Sequence, residues 1–388
     1  MIARVRSYRS LEEAVEEWRR LGIADSVGSA LGLLSKMHVF VEGEDDSGLA
    51  LLVDRVEKLG GWQVRCDSRE VKRLLVSGSD RFFERLSESS GVPLASLVSA
   101  SLANFLSAES PPIRTSCGPM AFDRTRVMGV LNVTPDSFSD GGVFFAKEDA
   151  VGRAFEMADQ GADLIDIGGE STRPFSEPVS EEEEMGRILP VIRKVAPSLG
   201  VPLSVDTRKP SVARKAVEAG AQMVNDVSGL RDPEMIDAVA SMDIPVVAMH
   251  MRGEPMTMQV GIEYDDVVGD IMRYLSGRIG EAIDRGVREE NILIDPGIGF
   301  GKEVAHNLDI IRRLREFRSF GLPVVIGPSR KAFIGKVLGL PKDERLEGTL
   351  ATVAACAING ADIVRVHDVK EAVRVCKMID AAFRTRSS

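Results

Sequence analysis

The 388-residue chain exceeds the roughly 250 residues of one barrel domain, so a large and a smaller domain are expected. With 44% hydrophobic and 28% charged residues, composition excludes a disordered or collagen-like chain; 49 basic against 59 acidic residues, a formal charge of −10, excludes nucleic-acid binding by general electrostatics. Cys66, Cys117, Cys356 and Cys376 form no C-x-x-C, the N-terminus has no apolar signal region, and no apolar run approaches a membrane span, so a cytoplasmic protein free of disulfides and membrane segments is expected.

Apolar periodicity predicts a helix over 11–21, a strand over 38–42, a helix over 49–59, strands over 63–66 and 74–77, and helices over 81–86 and 94–106. Residues 1–106 therefore read as a small α/β N-terminal domain, of no evident role because it holds no catalytic constellation. Residues 107–124, SAESPPIRTSCGPMAFDR, combine prolines and small residues without a period and read as a linker. From 125 to 388 a single unit recurs: an apolar run, a Gly-rich turn and a helical segment. The runs cover 127–132, 163–168, 203–207, 223–229, 245–250, 292–297, 323–329 and 363–368. Near-continuous apolar runs suit parallel strands buried on both faces, and eight of them predict a (β/α)8 TIM barrel. A doubly wound sheet is the rival, but no G-x-G-x-x-G follows the first strand.

Nearly every predicted strand ends in polar residues: Asn132, Asp166, Asp206, Asn225 with Asp226, His250, Asp295, Ser329, and Arg365 with His367. A closed barrel gathers those ends on one face, where active sites are built. Asp206, Asn225 and Asp295 together offer the donors and acceptors that a flat nitrogen heterocycle requires, although each alone reads equally well as a cap or an ion-pair partner. The loop NVTPDSFSDGG suits a lid or a capped turn. In GGESTRP (168–174), Arg173 beside small hydroxyls suits a phosphate clamp, whereas SEEEE (180–184) reads as the capped start of the next helix. Arg330 and Lys331 lie near a helix start, within reach of an anion or a ring nitrogen. Arg365 and His367, two apart on one side of a strand, point to an anion or metal-phosphate site. No HExxH or Cys/His spacing suggests zinc; a Mg²⁺ shared with substrate phosphates is compatible, with Asn132 the most suitable protein oxygen. His38 and His306 read as ordinary residues.

In order, MGVLNVTPDSFSDGG, GADLIDIGGESTRP, SVDTRKP, NDVSG, MHMRGEPMTMQ, DPGIGFGK, GPSRKAFIG and RVHDV resemble the dihydropteroate synthase family across about residues 125 to 385. Residues 1 to about 106 look like an N-terminal extension carried by some members. The resemblance implies a transferase of folate synthesis in which p-aminobenzoate displaces pyrophosphate from 6-hydroxymethyl-7,8-dihydropterin diphosphate, and a target of sulfonamides. It implies that Asp206, Asn225, Asp295 and Lys331 hold the pterin, and that Asn132, Arg365 and His367 hold the diphosphate and Mg²⁺, with Asn132 as metal ligand. Thr172 and Arg173 would contact the phosphates or complete the closed site, while Phe138, Pro174 and Phe300 wall the p-aminobenzoate slot with Ala332 beside it. It also implies a homodimer formed through barrel helices.

Two positions depart from the family pattern: Phe175 stands where glycine usually follows STRP, and Ala332 where serine often follows the lysine. Both bear on p-aminobenzoate affinity more than on the reaction. Two other functions remain: a methyltetrahydrofolate-corrinoid methyltransferase, against which the STRP, SRK and RVHDV motifs argue, and a non-catalytic pterin-binding protein.

Overall fold

The structure, a computed structural model, describes residues 1–6, 8, 11–20, 37–43, 45–65, 67, 71–89, 91–134, 142–171 and 176–384; at 11–12, 19–20 and 142–147 it describes the backbone alone. The chain divides into two compact units, Met1–Ala108 with Arg315–Gly321, and Glu109–Leu314 with Leu322–Ser388.

In the first unit, strands β1 (Ile2–Arg6), β2 (Met37–Gly43), β3 (Trp62–Arg65) and β4 (Lys72–Gly78) form an antiparallel sheet in the order β1-β2-β4-β3. Helices α1 (Leu11–Arg20), α2 (Asp46–Lys58), α3 (Asp80–Ser87) and α4 (Pro93–Leu106) accompany it. Val5, Val39 and Val76, aligned across β1, β2 and β4, pack with Leu52, Leu86 and Val98 in one core. Sequence reading missed β1 because Arg4 and Arg6 alternate with its apolar residues. Both arginines are buried: Arg4 pairs with Glu42 and Glu316 at 3.0 and 2.7 Å, and Arg6 reaches Glu316 at 2.6 Å.

The second unit holds eight parallel strands: β7 (Arg126–Asn132), β8 (Leu164–Gly168), β9 (Leu203–Asp206), β10 (Met223–Asp226), β11 (Val246–Met249), β12 (Ile292–Asp295), β13 (Val325–Ile326) and β14 (Ile363–Val366). Their order is β12-β11-β10-β9-β8-β7-β14-β13, and a parallel bridge between Ile294 and Val324 joins the two ends into a nearly closed barrel. Around it run α5 (Gly142–Asp159), α6 (Glu181–Val195), α7 (Pro210–Glu218), α8 (Pro233–Met242), α9 (Val267–Asp284), α10 (Val304–Arg312), α11 (Ala332–Leu338), α12 (Leu346–Ile358) and α13 (Val369–Phe383). A (β/α)8 barrel is thus the fold of this unit. The run at 223–229 leaves the sheet at Asp226, whose carboxylate accepts hydrogen bonds from Ser228 N at 2.8 Å, Ser228 Oγ at 2.6 Å and Leu230 N at 2.8 Å and so turns the chain.

Residues 107–124, expected as a linker, contain a β-hairpin of β5 (Ile113–Thr115) and β6 (Gly118–Met120). Ile113, Met120 and Phe122 pack with Met128, Leu164, Met223, Val247, Leu293, Val325 and Ile363, residues near the N-terminal ends of the barrel strands. This hairpin fills the end of the barrel opposite the polar strand ends. Its apolar residues are too few and too widely spaced to show a period. No helix among the described residues is long and apolar enough to cross a membrane.

Candidate active site

Register brings the polar strand ends to one level: Asn132 lies opposite Gly168, Gly168 opposite Asp206, and Asp206 opposite Asn225. Gly168 leaves room at the centre, since a Cβ there would stand 3.3 Å from that of Asp206. The half-buried Arg365 on β14 donates through Nε to Asp166 Oδ2 at 2.6 Å and through Nη2 to Asp206 Oδ2 at 2.7 Å, while Asn225 Nδ2 donates to the same Asp166 oxygen at 2.9 Å. One guanidinium thus serves two buried carboxylates. The remaining oxygens, Asp166 Oδ1 and Asp206 Oδ1, are buried without a hydrogen-bond partner among the described residues. Burial pushes Asp206 up to about 7, opposed by Arg365 and reinforced by Asp166 and Glu184.

Asp295 ends β12, and its Oδ1 accepts from Gly297 N at 2.6 Å. Burial raises its carboxyl to about 6 against that hydrogen bond and the charges of Lys331, Arg365 and Lys302. Gly297 has φ +70°, and a Cβ there would collide with the His250 carbonyl oxygen, so the turn that donates to Asp295 requires glycine. Lys331 caps α11 in an extended conformation and sets its ammonium 4.1 Å from the centroid of the Phe300 ring; Ala332 is the first residue of that helix. Phe300 packs with Val227, Met249, Met251 and Met258.

On the anion side, His367 Nδ1 lies 3.0 Å from Ser329 Oγ, which also accepts from His367 N at 3.2 Å. Burial, then Arg365, Arg330 and Lys331, lower this imidazole to about 3. Near neutral pH the ring is therefore held uncharged in the free protein. Arg330, a sequence candidate for anion contact, binds Asp368 instead, through Nε at 3.0 Å and Nη2 at 2.6 Å. Asn132 is half-buried at the end of β7. Phe138, Thr172, Arg173, Pro174 and Phe175 lie outside the described residues.

Three features escaped sequence reading in whole or in part. Asp166 sits as an acid inside the apolar run DLIDIG, and only the fold shows that it anchors both Arg365 and Asn225. His250, noted only as a strand end, has its Nδ1 2.9 Å from Lys302 Nζ, and Lys302 also donates to Phe300 O at 2.9 Å; burial lowers the pKa of both side chains. Ser180 caps α6 as expected, its Oγ accepting from Glu183 N at 3.1 Å with the acidic run in the first turn, but Glu184 is buried and paired with Lys209 at 2.6 Å. Its spacing from Ser180 resembles ordinary capping, so only the fold reveals the partner.

A buried set of amide and carboxylate groups beside cations, at the C-terminal mouth of a barrel, defines a site for a polar heterocycle bearing an anionic tail. The pterin binding enzyme family matches residues 128–367. The dihydropteroate synthase of Bacillus subtilis (strain 168) is 50% identical over 260 residues, which cover 67% of this chain and 89% of that relative. That of Escherichia coli (strain K12) is 45% identical over 262 residues, covering 68% and 93%. The solved Xanthomonas albilineans dihydropteroate synthase with 4-aminobenzoic acid aligns with a TM-score of 0.67 at 45% identity, covering 70% of this chain and 98% of that one. The chain belongs to the pterin binding enzymes. Within that family it stands with the dihydropteroate synthases, transferases of folate biosynthesis, and carries an N-terminal extension ahead of the matched region.

Proposed function

We propose the following division of labour for joining 6-hydroxymethyl-7,8-dihydropterin diphosphate to p-aminobenzoate on this barrel. Asp206, Asn225, Asp295 and Lys331 hold the pterin, and Arg365, His367 and Asn132 face the diphosphate. The observation that carries this reading is the Asp166–Arg365–Asp206–Asn225 cluster, in which two buried acceptor oxygens have no partner among the described residues. Such acceptors are costly in a finished core and suit a ligand that brings N–H donors.

As the bond between the pterin methylene and the diphosphate oxygen breaks, the electron pair leaves with pyrophosphate and positive charge spreads over the methylene and ring. Asp206 and Asp295 stabilise that cation, and Arg365 and the neutral His367 stabilise the leaving anion. The arylamine lone pair of p-aminobenzoate then forms the new C–N bond, and an amine proton is lost to solvent or to the departing pyrophosphate. No protein nucleophile is required. Phe300 and the Lys331 ammonium over its ring line the arylamine side together with Ala332; in this reading Phe138 and Pro174 would wall the same slot, and Thr172 and Arg173 would contact the phosphates or complete the closed site, excluding water.

Among the described residues there is no cluster of three His, Cys, Asp or Glu side chains able to cage a metal ion. Asn132, at the end of β7, would be the protein oxygen for a Mg²⁺ shared with the diphosphate. Such an ion would neutralise charge on the leaving group. The free thiols of Cys117, Cys356 and Cys376 suit a reducing compartment, and the reading places the enzyme in the cytoplasm as a homodimer.

The test is incubation of the full chain with the pterin diphosphate, p-aminobenzoate and Mg²⁺. The reading expects 7,8-dihydropteroate and pyrophosphate in equal amounts. Pterin binding without pyrophosphate release, or methyl transfer from methyltetrahydrofolate to a corrinoid acceptor, would replace it.

A further inference from the structure

Phe300 sits in residues 297–302, between β12 and α10, and each carbonyl from Gly299 to Lys302 is held by a side chain. Gly299 O accepts from Gln259 Nε2 at 3.0 Å, Gly301 O from the Tyr264 hydroxyl at 3.0 Å and Lys302 O from Asn307 Nδ2 at 3.2 Å. The Phe300 carbonyl falls to Lys302, whose Nζ donates to it at 2.9 Å and to His250 O at 3.3 Å, just past the end of β11, and lies 2.9 Å from His250 Nδ1. Lys302 is only 4% exposed, and the partners of its Nζ are these two residues, not a carboxylate. A buried amine without a counter-ion is costly in a core that needs only to be filled. What this one achieves is to tie the backbone under Phe300 to the end of β11.

We propose that Lys302 is a positioning residue for the second substrate: by holding the Phe300 carbonyl against the end of β11, it fixes the Phe300 ring beside the Lys331 ammonium and so sets the wall that p-aminobenzoate meets. This rests on the reading above that Phe300 lines the arylamine side. The pterin side has supports of its own: Asp295 takes its hydrogen bond from Gly297 N at 2.6 Å, and Lys331 stands at the start of α11. A small misplacement of contacting groups costs heavily only where those groups touch, so loss of the Lys302 amine bears on the arylamine and leaves the pterin largely unaffected.

The test is a double-mutant cycle on the full chain with Lys302→Met, Phe300→Leu and the two together. For Lys302→Met the KM for p-aminobenzoate rises about tenfold, while the Kd of a pterin lacking phosphates, measured by calorimetry, stays within about twofold. Because Lys302 acts through Phe300, Lys302→Met adds less than about twofold to that KM once Phe300→Leu is in place. A lysine that only stabilises the fold would multiply the two losses instead. If Lys302→Met does not fold, Lys302→Gln, which keeps an N–H donor on a side chain one atom shorter, carries the same comparison. Equal weakening of both ligands, no change in either, losses that multiply, or failure of both lysine variants to fold overturns the proposal. An unchanged KM in Phe300→Leu alone removes the wall, and the proposal with it. A wild-type chain that forms no dihydropteroate defeats the functional reading, so the two failures are distinguishable.

Discussion

Replacing Asp206 by asparagine separates what the carboxylate does for the ligand from what it does to the fold. In the free protein Asp206 Oδ2 takes one hydrogen bond from Arg365 at 2.7 Å and Oδ1 has no partner among the described residues. Asparagine keeps the size but removes the charge and turns one acceptor into a donor, so a pterin N–H aimed at that oxygen meets another N–H. A hydrogen bond to a charged group is worth about 1.5–3 kcal/mol, which converts to roughly a 10- to 150-fold loss of pterin affinity.

The effect on stability has the opposite sign. Asp206 has an ordinary value of 3.8 and a folded value of about 7, so the native state binds the proton more tightly. Its contribution to stability is therefore fully present below the ordinary value and is lost as pH rises through about 7. Asparagine carries no such burden, and Arg365 keeps Asp166 as a neutralising partner at 2.6 Å. Relative to wild type, the variant should therefore gain stability as pH rises from about 4 to about 8. Calorimetric titration with the pterin diphosphate and denaturant unfolding across that range measure both effects. Unchanged pterin affinity in a folded variant, or a stability difference that is flat with pH, refutes the reasoning.

Arg365→Ala strips two buried carboxylates of their shared cation, so it weakens bare pterin as well as the diphosphate and lowers stability, by about 3–5 kcal/mol if both acids stay charged; titration and unfolding of the same variant check this. His367→Ala weakens the diphosphate selectively, and equal losses for a pterin lacking phosphates would count against that role. Imidazole NMR of the free protein should find His367 neutral from about pH 5 to about pH 8, its contribution to stability being lost only as pH falls below the ordinary 6.5 toward about 3; a titration midpoint near neutrality would contradict this. Sulfonamides compete with p-aminobenzoate only when Mg²⁺, pyrophosphate and pterin are present, and Ala332→Ser tightens them by ~0.5–1.5 kcal/mol through a new hydroxyl contact; equal binding to the empty enzyme would oppose an ordered site. A chain beginning near residue 109 keeps the hairpin that fills the barrel end and every candidate site residue but lacks Arg4 and Arg6, the partners of buried Glu316, so it retains turnover at a lower Tm; a well-folded truncated barrel without turnover would place the extension in the active site.

The barrel was readable because its strands are buried on both faces, so an acid or amide at the end of each apolar run stands out. The same contrast marked Asp206, Asn225 and Asp295. It fails where charge is buried by a distant partner: Arg4 and Arg6 look like a solvated terminus until Glu42 and Glu316 are seen beside them. It fails likewise at Glu184, whose partner Lys209 lies 25 residues away, and at Lys302 and His250, whose contact crosses 52 residues. Arg365 illustrates a third limit. Its position predicted an anion contact, but only the folded barrel reveals that its two hydrogen bonds already engage the carboxylates of the pterin side.

The central claim is that this site separates charge, carboxylates beneath the pterin and cations beside the diphosphate, before the amine attacks. Positional isotope exchange tests it most directly. A pterin diphosphate with heavy oxygen in the bridge to its methylene is held on the full chain with Mg²⁺ and without p-aminobenzoate, and phosphorus NMR follows the label. Reversible cleavage in the closed site moves the label into non-bridging positions, and that is the result expected. A label that stays in the bridge, in an enzyme that turns over normally once p-aminobenzoate is added, would mean that bond breaking waits for the amine, and the charge-separating role assigned to Asp206, Asp295 and Arg365 would fall.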